Sequence, residues 1–284
     1  MRNKVKAAGT TVRLLGHTRY EVLPTDTIED KVLEHVPVER GITVTASPRK
    51  GLEPTLDLTE RLTGHGYVVT PHLAARMVRD RAELSEICDR LTGKGITRVF
   101  VPGGDAETPG GYADALSLLE DLAALGNPFT HVGITGYPES HPTIADDLTI
   151  QSMWDKRRYA THVVSNLTFD PTVLTGWVRR MRARGITMPL LLGLPGPVDR
   201  AKLLSMAGKI GVGESTRFLA KHKGTFARLA APGGFTGEKF LQKCAAQLTD
   251  PESGLEGLHV FTFNQVAETE QWHRELLDRL TSHP

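Results

Sequence analysis

The stretch FTHVGITGYPESHP, residues 129–142, decides how this chain is read. Phe129, Val132 and Ile134 form an apolar strand pattern that runs straight into a turn carrying Tyr137, Glu139 and His141. A strand ending in polar and aromatic groups is how a (β/α)8 barrel builds a site, because its active face lies at the C-terminal ends of the strands. Working outward, short β-rich runs alternate with helical patterns. The predicted strands are 19–23, 41–46, 67–72, 97–102, 129–135, 161–167, 188–193 and 257–263. Predicted helices between them include 80–91, 112–125, 171–184 and 266–280. In 112–125, Ala115, Leu118, Leu119 and Leu122 recur at the three- and four-residue spacing of one helix face. Gly95, Gly185 and Gly257 precede strands, where helix-terminating glycines belong.

Eight β-then-α units imply parallel strands joined by right-handed crossovers, and eight is the closing number of the barrel. The expectation is therefore an α/β protein, one (β/α)8 TIM-barrel domain over 1–284. The connection between strands seven and eight is elaborated, with helical pieces near 198–208, 214–223 and 236–248, and lies over or beside the active face. No linker, repeat or low-complexity segment divides the chain.

Composition is that of an ordinary globular protein: 284 residues, 39% hydrophobic, 24% charged, net charge +1 and pI near 7.9. No field favours nucleic acid or an anionic membrane. Lys156, Arg157 and Arg158 form the only dense basic run, which reads as a solvated helix face. Cys88 and Cys244 sit in helical patterns and read as buried structural thiols. The N-terminus is basic, but no long apolar run follows it, so secretion and membrane spanning are not expected and a reducing cytoplasm fits. Oligomeric state is not legible.

The strand ends supply the candidate chemistry. In RYEVL (19–23), alternation puts Tyr20 and Val22 on one face and Glu21 and Leu23 on the other. Glu21 is either a surface residue at a frayed end or a general acid whose pKa is raised by burial. Thr45 ends strand two and His72 ends strand three, the latter a structural or a functional histidine. Strand four runs into Gly103-Gly104-Asp105, in which Asp105 either caps a turn or faces a ligand. Strand six ends at Asn166, with Asp170 a candidate N-cap, and strand eight ends in Phe263-Asn264-Gln265. There is no metal-ligand spacing and no strand-end Lys for Schiff-base chemistry. The set suits binding of a polar heterocycle with one proton transfer.

These pieces resemble the methylenetetrahydrofolate reductases, in order and over almost the whole chain. YEVLP (20–24) is similar to their first strand, Phe-Glu-Phe-Phe-Pro. Pro71-His72-Leu73 matches the end of their third, and Gly103-Gly104-Asp105 loosely matches the Arg-Gly-Asp of their fourth. Tyr112-Ala113 is similar to the Tyr-Ala that follows, and GYPESHP (136–142) is the nearest match to their Tyr-Pro-Glu-x-His-Pro. VSNLTFD (164–170), Pro195-Gly196 and LHVFTFN (258–264) resemble later segments. The resemblance implies reduction of 5,10-methylenetetrahydrofolate to 5-methyltetrahydrofolate. Glu21 falls on the family's general acid and Asp105 on its pterin-contacting carboxylate. Asn166 replaces a pterin-binding Gln, and Gln265 replaces an Arg after the last strand. Thr45, His72, Gly104, Tyr112, Tyr137, His141 and Lys156 fall among expected cofactor contacts. Family members normally hold FAD and take hydride from a nicotinamide. Here Gly103 stands where the family has an Arg near the flavin phosphates, Ser152 where it has an Asn, and segment 143–160 is about two residues short. The resemblance with these departures implies NADH or NADPH, with NADH favoured, acting directly on folate, and argues against tight FAD binding. An ordinary FAD-dependent reductase and a non-catalytic folate- or nucleotide-binding relative are the alternatives.

Overall fold

The computed structural model describes residues 2–141, 143–197 and 237–282, with side chains from Lys6 onward. After α1 (Arg2–Gly16), strands and helices alternate: β1 (Thr18–Val22), α2 (Ile28–His35), β2 (Gly41–Val44), α3 (Glu53–Gly64), β3 (Val69–Pro71), α4 (Arg81–Gly93), β4 (Arg98–Val101) and α5 (Ala115–Ala124). The second half continues with β5 (His131–Gly136), α6 (Asp146–Lys156), β6 (His162–Ser165), α7 (Pro171–Ala183), β7 (Leu190–Pro195), α8 (Gly237–Gln247), β8 (Leu255–Phe261) and α9 (Val266–Ser282). All eight expected strands are present. The strand order is β3-β2-β1-β8-β7-β6-β5-β4, and every neighbouring pair is parallel. A parallel bridge between His72 and Phe100, with Leu73 N–H donating to Phe100 O at 2.8 Å, joins β3 to β4 and closes the (β/α)8 barrel.

Local chemistry explains the helix starts. Asp80 accepts from Glu83 N–H, Asp114 from Ser117 N–H, and Asp170 from Thr172 and Val173 N–H, each satisfying orphan donors of a first turn. The Asp114 cap starts α5 three residues later than periodicity placed it. Gly95 (φ 75°) and Gly185 (φ 77°) end helices as expected. Gly257 does not. It lies within β8, where a Cβ would meet His17 O at 2.2 Å, and the left-handed residue is Gly254 (φ 63°). The basic N-terminal stretch, read only for what it excludes, is a helix that buries Ala7, Thr11, Leu14 and Leu15 on one face. Cys88 and Cys244 are buried free thiols. The pieces expected at 198–208 and 214–223 lie outside the described residues, and 236–248 corresponds to α8.

Alternation along β1 sorts the site from the core. Tyr20 and Val22 turn outward and are fully buried under the helices, with Tyr20 Oη donating to Glu270 Oε2 on α9 at 2.7 Å. Glu270 is itself buried and is also met by Arg40 at 3.4 Å, so that carboxylate is paired where it is dry. Glu21 turns inward. Among the described residues, no helix is long and apolar enough to cross a membrane.

Candidate active site

At the C-terminal ends of the strands the barrel opens into a cleft of ≈ 770 Å³, open mouth included. Six of the residues expected from sequence line it: Glu21, His72, Gly104, Asp105, Tyr137 and Asn166. Phe100, Thr135, Val164, Ser165, His259 and Phe261 complete the floor, with Ala46, Pro48, Met77 and Pro102 among the residues around them.

Glu21 is the centre of the floor. Its Oε2 lies 2.9 Å from His259 Nε2 and 3.5 Å from His72 Nε2, and its side chain is 13% exposed. Burial pushes the carboxyl upward, but the two imidazoles outweigh burial and pull it down to about 2. This corrects the expectation of a raised pKa, because strand periodicity carries no information on which rings a fold brings to a carboxylate. His259 is held below its ordinary value by burial, against the upward pull of Glu21. The resting pair is therefore an ionised carboxylate accepting from the Nε2–H of a neutral imidazole. His259 Nδ1 has no hydrogen-bond partner among the described residues. Its ring packs edge-on against Phe261 at 4.9 Å, and His72 lies 4.7 Å from Phe100.

The backbone carrying Glu21 is clamped from β8. Thr262 Oγ1 donates to Glu21 O at 2.6 Å, and the Asn264 amide closes a double hydrogen bond with Leu23 N–H (2.8 Å) and Leu23 O (3.0 Å). Phe263 (φ 50°) and Asn264 (φ 60°) are both left-handed at this corner, a costly conformation for non-glycine residues that clusters at functional sites. On the opposite wall, Gly104 (φ 87°) needs its missing side chain, since a Cβ there would sit 3.0 Å from Ala74 Cβ.

Five expected contacts lie elsewhere than the cleft lining. Thr45 spends its carbonyl on Thr55 Oγ1 at 2.7 Å. Tyr112 is buried against α5 and donates to Asp121 Oδ2 at 2.8 Å. His141 is buried, its Nδ1 accepting from Thr143 and Ile144 N–H at 3.2 Å, so it shapes the approach to α6. Gln265 immediately precedes α9, its carbonyl accepting from Thr269 Oγ1 at 2.7 Å. Lys156 is not on a solvated face: it is 9% exposed at the end of α6, and burial lowers its amine to about 8. The solvated member of that run is Arg158, whereas Arg157 is half-buried, its guanidinium stacked 3.3 Å from the Trp154 ring centroid. Within the 129–142 stretch, Tyr137 reaches the cleft, while Glu139 Oε1 accepts from Phe169 (2.5 Å) and Asp170 (3.0 Å) N–H and staples the β5 loop to the β6 loop. His259 was missed from sequence; its position two residues before Phe261 on an inward strand face was the available signal.

The chain belongs to the methylenetetrahydrofolate reductase family, whose model matches residues 31–276. That span begins after Glu21. Among curated proteins, the probable methylenetetrahydrofolate reductase (NADH) of Oryza sativa subsp. japonica is 26% identical over 208 residues, covering 64% of this chain and 34% of the rice protein. Methylenetetrahydrofolate reductase (NADH) 1 of Arabidopsis thaliana is 26% identical over 206 residues, covering 64% of this chain and 33% of that protein. The chain thus spans about a third of the length of these relatives. Among solved structures, oxaloacetate acetylhydrolase superposes with a TM-score of 0.54 at 12% identity, covering 98% of this chain and 88% of the other, a likeness of fold alone.

Proposed function

We propose that this chain reduces 5,10-methylenetetrahydrofolate to 5-methyltetrahydrofolate with hydride taken directly from NADH. The observation that carries this reading is the inward Glu21 carboxylate, clamped by His259 and His72 at the floor of a cleft that also presents Asp105 and Asn166. Family membership and the NADH in the relatives' names support it.

In the proposed reaction, a proton delivered by Glu21 to N10 of the folate breaks the N10–methylene bond and leaves a 5-iminium cation. Hydride from the dihydronicotinamide adds to the methylene carbon, giving the methyl group and NAD⁺. Because burial is the largest single influence on Glu21 and acts upward, a pterin that displaces His72 from its 3.5 Å contact favours the protonated carboxyl. Asp105 favours the iminium over the neutral ground state, which is the difference that accelerates chemistry. The Asn166 amide offers both a donor and an acceptor to the pterin edge.

FAD suits the cleft poorly. None of its described lining residues is Lys or Arg, so a flavin diphosphate drawn inside would be buried without a cation. A nicotinamide needs only its ring inside. Its diphosphate stays at the mouth, where Arg49 and Lys50 are exposed beside Pro48.

The test is to purify the protein without added flavin, record the visible spectrum, and vary NADH and methylenetetrahydrofolate together. The expected result is no isoalloxazine band and intersecting initial-rate lines, the mark of a ternary complex. A stoichiometric flavin band with parallel lines sinks direct transfer. Absence of folate-dependent NADH oxidation sinks the reductase reading altogether.

A further inference from the structure

The opposite, N-terminal mouth of the barrel carries a second convergence of side chains. The alternation that turns Glu21 inward also turns Arg19 inward, two residues earlier on β1. Arg98, His131 and His162 are the first residues of β4, β5 and β6, with His162 in register with Gly133, two residues beyond His131. Arg98 and His131 are register partners on adjacent strands. From β1, Arg19 Nη1 reaches across to His162 Nε2 at 3.4 Å, and His162 Nδ1 lies 3.0 Å from Thr161 Oγ1. Glycines make room: a Cβ at Gly133 would lie 2.8 Å from His162 Nε2, and one at Gly41 would lie 3.3 Å from Arg19 Cβ.

Four basic groups meet here, and among the described residues no carboxylate pairs with either guanidinium. Arg19 is pulled down to about 10 by burial and by Arg98, and Arg98 is lowered by burial. His131 is lowered by burial, Arg98 and Arg19. His162 is pushed down to about 3 by burial, then Arg19, His131, Arg98 and His259. Glu21, one layer up on the same face, is engaged by His259 and His72. A buried guanidinium without a counter-charge is costly, and folded chains ordinarily pair it. The guanidinium fork matches the oxygens of a tetrahedral oxyanion. These groups sit on inward strand positions, recessed within the barrel, which favours a small ion over a protein segment.

We propose that the N-terminal mouth of the barrel is a binding site for a small oxyanion of the phosphate class, held by Arg19 and Arg98 beside His131, with His162 Nε2 accepting from Arg19 and positioning its guanidinium. The site is separate from the folate cleft and independent of the proposed reaction. Its test reads stability and not turnover, so the two readings fail separately.

The experiment is thermal unfolding of the whole chain in chloride buffer of fixed ionic strength and pH, titrated with inorganic phosphate and, in a second arm, with glycerol phosphate. Binding to the folded state alone raises Tm with the logarithm of ligand, by about 5 °C at roughly a hundred times Kd. Response to inorganic phosphate only assigns a free ion, and response to both assigns the phosphate group of a small ester. Arg98→Met, at a half-exposed position that tolerates change, abolishes the response. Arg19→Met abolishes it too and, in phosphate-free buffer, melts higher than the parent because a buried unpaired charge is gone. The proposal is overturned by a Tm that phosphate moves no more than chloride does, or by a response that survives both substitutions.

Discussion

At the floor of the cleft, burial acting alone would push the Glu21 carboxyl upward; the imidazoles of His259 and His72 reverse the sign. Removing one imidazole should therefore let burial reassert itself. His259→Phe keeps a ring between Phe261 and Phe100 but loses the Nε2–H donor. The Glu21 carboxyl should titrate at least about 2 pH units higher in that variant, followed by its infrared carbonyl band; an unchanged titration would exclude His259 as the group that sets it. Glu21→Gln keeps shape and hydrogen bonding but has no carboxyl proton to give. Its kcat should fall by about 10²–10⁴, with folate affinity changed less. Asp105→Asn should lower kcat and kcat/KM at an unchanged Tm, whereas a mere turn cap would lose stability and keep its turnover.

Between elements, the corner after β8 holds the end of β1. The Asn264 amide grips both polar groups of Leu23, Thr262 grips the Glu21 carbonyl, and two successive left-handed residues set the bend. Asn tolerates this conformation better than other non-glycine residues. Asn264→Ala loses both hydrogen bonds and keeps a Cβ at positive φ, at a cost of about 2–3 kcal/mol. Asn264→Gly relieves the backbone but still releases Leu23. If the clamp positions Glu21, both variants lose kcat while the alanine, strained as well as unbonded, loses more stability than the glycine; chemical denaturation beside single-turnover kinetics separates the two effects.

For the whole molecule, the basic barrel interior shapes the acid limb of stability. His162 is folded with a pKa near about 3, against an ordinary value of 6.5. Between those values the unfolded chain takes up a proton that the folded chain refuses, so stability falls as pH falls through this window, by on the order of 5 kcal/mol. Glu21 acts lower. Its contribution is fully present above its ordinary value of 4.5 and is lost as pH drops toward about 2. His162→Gln, which cannot charge, should make the limb between pH 6.5 and about 3 shallower, the lowered His131, His259 and His273 supplying what remains, and leave the lower one intact. Urea unfolding at pH 7, 5 and 4 measures it, and an equally steep loss in the variant would place the acid sensitivity elsewhere.

The periodicities in the chain determined the eight strands, their parallel alternation with helices, and that Glu21 and Tyr20 leave β1 on opposite faces; which of those faces is the interior was decided by barrel closure. Each of the first three rests on neighbours two to four residues apart, and that information is local. The same holds for the cap at Asp170 and for the strand-end position of His72, Asp105 and Asn166. Barrel closure decided the rest. Glu21 and His259 are 238 residues apart and meet only because β1 and β8 are adjacent, and their contact turns an expected raised pKa into a lowered one. Tyr112, His141 and Lys156 lie in the segments expected from sequence, yet Tyr112 and His141 are spent on local partners and Lys156 is buried at the end of α6. A strand pattern states where a side chain leaves the backbone; what it meets there, and hence its charge, is set by packing across the barrel.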